Sequence, residues 1–153
     1  MSTDNPIQSI AEILLDPQNR SDVVQACVEL VEREVQSKKG LTGMGIKAGF
    51  KAVKKFKPDI IVQVLKDLLP EFVAAMEPIY QQYLQSGMND LGTFLQHNKE
   101  QVAQQLLTIT DMRAQKSKHK ILVSTYNKLR PLGQAQVVAA VPGLAQLLKR
   151  FNL

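Results

Sequence analysis

Four glycines, Gly40, Gly43, Gly45 and Gly49, gather around Lys47, and glycine backbone beside a lysine is the raw material of a phosphate-binding loop. The spacing decides against one. A P-loop requires G-x-x-x-x-G-K-[ST] after a strand, and a dinucleotide-binding turn requires G-x-G-x-x-G between strand and helix. Gly43, Gly45 and Gly49 instead read G-x-G-x-x-x-G, with no strand-like alternation upstream. The glycines support a tight helix-to-helix turn followed by a helix that a neighbour approaches closely.

Lys47, Lys51, Lys54 and Lys55 fall at i, i+4, i+7 and i+8 of the same segment, so on a helix they share one side and are candidate contacts for an anion. The partner would be nucleic acid or an anionic membrane surface. The stretch has no arginine for base readout and no aromatic on its basic side for stacking. Its apolar side, Ile46, Gly49, Phe50, Val53 and Phe56, is expected to be taken by the core. A solvated lysine face is the plainer alternative.

Two charges stand inside apolar arcs. Glu34 lies among the apolar positions of a helix over 21–38, and Arg113 among Val102, Ala103, Leu106, Leu107, Ile109 and Ala114. An unpaired charge in a core is costly, so the opposite signs suggest a buried or half-buried Glu34–Arg113 bridge. The alternatives are that both snorkel outward, or that Glu34 takes Lys38 at i+4.

No catalytic set can be assembled. His97 and His119 lack acidic or histidine partners at ligand spacing, and Cys27 sits on an apolar arc, as a buried inert thiol would. Asp67, Glu71 and Glu77 are spaced as solvated acids. The expectation is no cofactor and no metal site, with an enzyme the least favoured class.

The elements that would carry these residues all read as helix, about eight of them. A short helix holds Ile10, Ile13 and Leu14 and stops at Asp16-Pro17. Ser21 is expected to cap the helix to Lys38 and Gly40 to end it. Pro58 and Pro70 each suit the first turn of a new helix, and Pro78 either kinks the second or starts another. Asn89 and Asn98 suit the N-caps of helices near 90–96 and 99–115. Ser117 suits that of one reaching Leu129, and Pro131 opens a last helix that Pro142 interrupts. The expected fold is all-α, an irregular multi-helix bundle forming one compact domain over residues 1–153. Its core is expected from Leu30, Val31, Ile46, Phe50, Val53, Leu65, Leu69, Phe72, Leu106, Leu107, Leu122, Tyr126 and Val138.

Composition fits that fold. The 153 residues are 44% apolar and 22% charged, with no Trp and 5% aromatics, so aliphatic side chains fill the interior. A single cysteine excludes an internal disulfide, the N-terminus has no basic leader, and no apolar run is long enough for a membrane span. These features point to the cytosol. Charge comes in blocks: seven acids and two bases over residues 1–34, seven lysines and no acid over 35–57, seven acids and two lysines over 58–111, and eight bases and no acid over 112–153. Such blocks either complement one another internally or leave basic surface for an anionic partner.

Four stretches also resemble an uncharacterised family of small bacterial proteins: Glu34-Val35-x-x-Lys38-x-Gly40-x-x-Gly43-x-x-x-Lys47-Ala48-Gly49-Phe50-x-x-Val53-Lys54, Leu68-Leu69-Pro70-x-Phe72, Thr110-Asp111-x-Arg113-Ala114 and Leu122-Val123-x-x-Tyr126-x-x-Leu129-Arg130. The resemblance implies a small helical protein and carries no activity with it. The leading functional expectation is a non-enzymatic interaction or scaffold protein that binds another protein or itself. The alternatives are an anion-binding module working through Lys47, Lys51, Lys54 and Lys55, and a carrier of an apolar small ligand.

Overall fold

The computed structural model describes residues 9–153; residues 1–8, where a leader was sought in the sequence, lie outside them. Every regular element among the described residues is helical. In chain order they are α1 (Ile10–Leu14), α2 (Arg20–Ser37), α3 (Gly40–Phe56), α4 (Ile60–Gln85), α5 (Leu91–His97), α6 (Lys99–Lys116), α7 (Lys120–Leu129) and α8 (Gly133–Arg150), with a 3-10 turn at Arg130–Leu132 before the last.

Helix ends follow local chemistry, sometimes a residue or two from the expected cap. Asp90, not Asn89, caps α5 by accepting from the Thr93 amide at 2.9 Å. Asn19 precedes α2 but spends its side chain on the Ile13 carbonyl, at 2.9 Å, tying α1 to α2. Ser117 lies before α7 and accepts from the His119 amide, while the helix itself starts at Lys120. The α2–α3 turn is the tight one the glycines suggested. Gly40 has φ +71°, and a Cβ on Gly43 would come within 2.5 Å of the Lys38 carbonyl carbon.

The prolines behave differently from expectation. Pro70 does not open a helix, Pro78 does not start one and Pro142 does not interrupt one: α4 runs through the first two and α8 through the third. Each interior proline removes one helical hydrogen bond, at a cost of about 3 kcal/mol. In α4 the buried stripe of Leu68, Leu69, Val73, Met76, Ile79 and Tyr80 continues across both prolines. A helix broken at either one would have to give up part of that burial, which at roughly 1.5–3 kcal/mol per large apolar side chain outweighs the local penalty.

The main core is drawn from α1, α2, α4, α5, α6 and α8, with Ile10, Val23, Ile79, Leu95, Val102 and Val141 at its centre. Glu77, expected to be a solvated acid, is half-buried. Its Oε2 accepts from the Ile10 amide at 3.4 Å and from Gln81 Nε2 at 2.9 Å, holding the start of α1 against α4. Of the thirteen expected core residues, Ile46, Val53, Leu69 and Leu107 are buried and the other nine half-buried. Helices α3 and α7 pack on each other at the side of this core. A Cβ on Gly49 would sit 3.0 Å from Thr125 and 3.2 Å from Leu129, so this is the glycine that permits close approach. Gly45, Ala48 and Ala52 face outward.

Candidate functional site

Helix α3 buries Gly43, Ile46 and Val53. That arc turns the opposite one to solvent, and Lys47, Lys51 and Lys55 are exposed on it. Lys54 is drawn away from them: it is half-buried, its Nζ lies 3.7 Å from Glu32 and 5.4 Å from the centre of the Phe50 ring. The solvent side of α3 is not purely basic. Leu41 is 87% and Met44 67% exposed, and Phe56, expected in the core, is 53% exposed.

Phe56 joins the two basic blocks of the chain. Its ring meets His119 edge-on, with centroids 6.5 Å apart, so the C-terminal end of α3 abuts the α6–α7 loop, which carries Lys118 and His119 just after Lys116 ends α6. That loop forms the rim of a half-open cleft of about 410 Å³ between α4, the end of α6 and α7. Ile60, Val64 and Leu68 of α4 form one apolar wall, and Leu122 and Val123 of α7 form the other. Arg113, Lys116, Lys118 and His119 line its edge, with Asp67 the acid among the lining residues.

Tyr126, which also lines the cleft, enters a polar network that spacing did not suggest. Its hydroxyl donates to Asp111 and accepts from Thr110 Oγ1 at 2.7 Å. Arg130 grips the same carboxylate with Nε at 2.7 Å and Nη2 at 3.1 Å, a two-pronged geometry that fixes both partners. The Arg130 guanidinium, helped by the Tyr126 hydroxyl, holds the Asp111 carboxyl below its ordinary value against the opposing effect of burial. Burial and then the Asp111 carboxylate raise the Tyr126 hydroxyl. A usable signal was present: Tyr126 and Arg130 stand at i and i+4 beyond a helix-ending Ser117, and Asp111 closes the preceding acidic block.

The expected Glu34–Arg113 bridge does not form. Glu34 accepts from Lys38 Nζ at 3.3 Å, the i+4 alternative. Its carboxylate lies over Gly143, where an added Cβ would be 3.6 Å from Oε2, in the contact between α2 and α8. Arg113 instead turns to α4 and donates to the Asp67 carbonyl at 3.3 Å. A partner one helical turn away satisfies Glu34 without crossing the core, and the two residues end on different faces. Of the candidate residues, Lys47, Lys51 and Lys55 share a face, Lys54 is paired with Glu32, Arg113 belongs to the cleft and Glu34 to neither. His97 is exposed at the end of α5. Burial pushes the Cys27 thiol up to about 11, which leaves it protonated and unreactive at neutral pH.

The described residues thus define an all-helical protein with lysines and large apolar side chains exposed together on α3. The chain belongs to a family of unknown function, DUF6918, whose model matches residues 10–152. No curated protein and no solved structure matches it. No helix is long and apolar enough to cross a membrane among the described residues.

Proposed function

We propose that this protein is a non-catalytic binding module that docks on an anionic membrane surface through α3. The observation that carries the reading is the pairing, on the solvent side of one helix, of Leu41 and Met44 with Lys47, Lys51 and Lys55, in a helix that contains no acid. On a bilayer, Leu41 and Met44 enter the boundary between headgroups and acyl chains while the lysines reach lipid phosphates in the following turns. A nucleic acid would use the lysines and leave the two most exposed large apolar side chains among the described residues in water. It would also find no arginine on this face for base readout. The anionic leaflet of a cell faces the cytoplasm, in agreement with the cytoplasmic placement expected from the sequence.

The test is co-sedimentation with vesicles of phosphatidylcholine alone or mixed with phosphatidylglycerol, at low and physiological salt. Binding is expected only to the anionic vesicles and is expected to weaken with salt. Each lysine near the surface contributes about 1 kcal/mol, so Lys47→Ala, Lys51→Ala and Lys55→Ala together should lower partitioning by about two orders of magnitude. Leu41→Asp with Met44→Asp should abolish it. Failure to bind anionic vesicles at low salt would overturn the reading, as would tighter binding to single-stranded or duplex nucleic acid that ignores the Leu41 and Met44 substitutions.

A further inference from the structure

The cleft between α4, α6 and α7 is a separate feature from the α3 face, and it combines two properties. Its walls are aliphatic, with Ile60 and Leu68 buried and Val64, Leu122 and Val123 half-buried. Its rim is cationic, and among the described residues none of Arg113, Lys116, Lys118 and His119 makes an ion pair. The volume of about 410 Å³ lies within the range of roughly 300–1,000 Å³ typical of small-molecule sites. Asp67 is the one acid among the lining residues, and its backbone carbonyl accepts from Arg113 at 3.3 Å.

The geometry points to a binding site for a single-chain amphiphile with an anionic head: the hydrocarbon chain lies between the α4 and α7 walls, and a carboxylate or phosphate head meets Arg113, Lys116 and Lys118 at the rim. A purely apolar ligand would leave these cations uncompensated. A small inorganic anion would leave the aliphatic walls in water. Tyr126 also lines the cleft, and its hydroxyl is committed to Asp111 and Thr110, so its ring is what it offers the chain. The site is independent of docking by α3, since no residue of α3 lines it.

The experiment is calorimetric titration of the whole chain with octanoate, decanoate and dodecanoate as monomers, with decyl phosphate and decanol beside them. Methyl chemical shifts of the isoleucine, leucine, valine and methionine side chains report where each binds. Affinity should rise about fifteenfold for each two methylenes added, from the burial of about 0.8 kcal/mol per methylene. Decanol should bind at least tenfold more weakly than the anion of equal chain length, and the order of decanoate and decyl phosphate tells which head the rim prefers. Arg113→Ala with Lys118→Ala, both at exposed positions, should remove the advantage of the anions and leave decanol unchanged. The shifts should fall on Ile60, Val64, Leu122 and Val123.

Any of three results with the amphiphiles would overturn the assignment: affinity independent of chain length, decanol binding as tightly as decanoate, or shifts confined to Leu41 and Met44. The last would place the amphiphile on α3 and leave the docking reading standing alone. An acidic, leucine-bearing peptide that binds the cleft where no amphiphile does would also overturn it, in favour of a protein ligand.

Discussion

The two sides of the molecule are built to different standards. On one, α1, α2, α4, α5, α6 and α8 enclose a continuous core in which Ile10, Ile79 and Leu95 are fully buried. On the other, α7 has no buried residue and α3 has three, and neither contributes to the main core cluster. The second side carries both the exposed lysine face and the cationic cleft. Few buried apolar contacts mean a low local free energy of opening. The proposed binding surfaces therefore lie where the fold buries least, and there the Asp111–Arg130–Tyr126 network ties α7 to α6 by hydrogen bonds and an ion pair.

The largest test of that contrast is a pair of truncations. Ile79→Ala should cost about 2–5 kcal/mol, because a sealed core cannot collapse around the lost atoms. Leu122→Ala should cost about 1–2 kcal/mol, because its side chain faces an open cleft that water already reaches, leaving transfer energy without a cavity penalty. Denaturant unfolding measures both. Equal costs would break the comparison, since α7 would then be as much a part of the core as α4.

Removing the Tyr126 hydroxyl is the next smaller perturbation. Tyr126→Phe keeps the ring and deletes the bonds to Asp111 and Thr110, an expected loss of about 1 kcal/mol. For a chain of this size that lowers the melting temperature by roughly 2–4 °C. Faster amide exchange should appear in α7 and spare α5. A uniform change across the chain would instead mean that the network supports the whole fold.

The sequence made one side of the molecule more legible than the other. Helix order and the all-α class followed from apolar periodicity, and the Gly40–Gly43 turn from glycine spacing. Pro70 and Pro142 were misread because a local rule was applied where continuous burial decides, and no single-residue preference records that burial. The Glu34–Arg113 expectation failed for a related reason. Position on an apolar arc does not say which neighbouring helix the arc meets, and Lys38 was within reach of Glu34 throughout. Asp111 and Arg130 lie 19 residues apart, so their pairing depends on how α7 folds back on α6, which spacing alone does not specify. The cleft was invisible for the same cause: its two walls come from α4 and α7, more than fifty positions apart in the chain.

The finest test separates the two sides by pH. Arg130, and secondarily Tyr126, hold the Asp111 carboxyl below its ordinary value. A carboxyl whose pKa is depressed by folding contributes stability that is fully present above its unfolded value, about 3.9, and is lost as pH falls through the folded value. Acid should therefore loosen α7 before it loosens the main core. Asp111→Asn should flatten the acid limb of the stability curve below about pH 4 while lowering the plateau near neutrality, by less than the Tyr126 change because the ion pair is more than a third exposed to solvent. The limb should not become flat. Asp90, at the cap of α5, is also held low by its hydrogen bonds to Thr93, and it belongs to the other side. Amide exchange across the acid limb tells the two apart: in the parent chain α7 opens first, and in Asp111→Asn the pH dependence of that opening disappears while that of α5 persists. Loss of both dependences together would show that the two sides unfold as one unit, and the contrast in packing would then have no counterpart in stability.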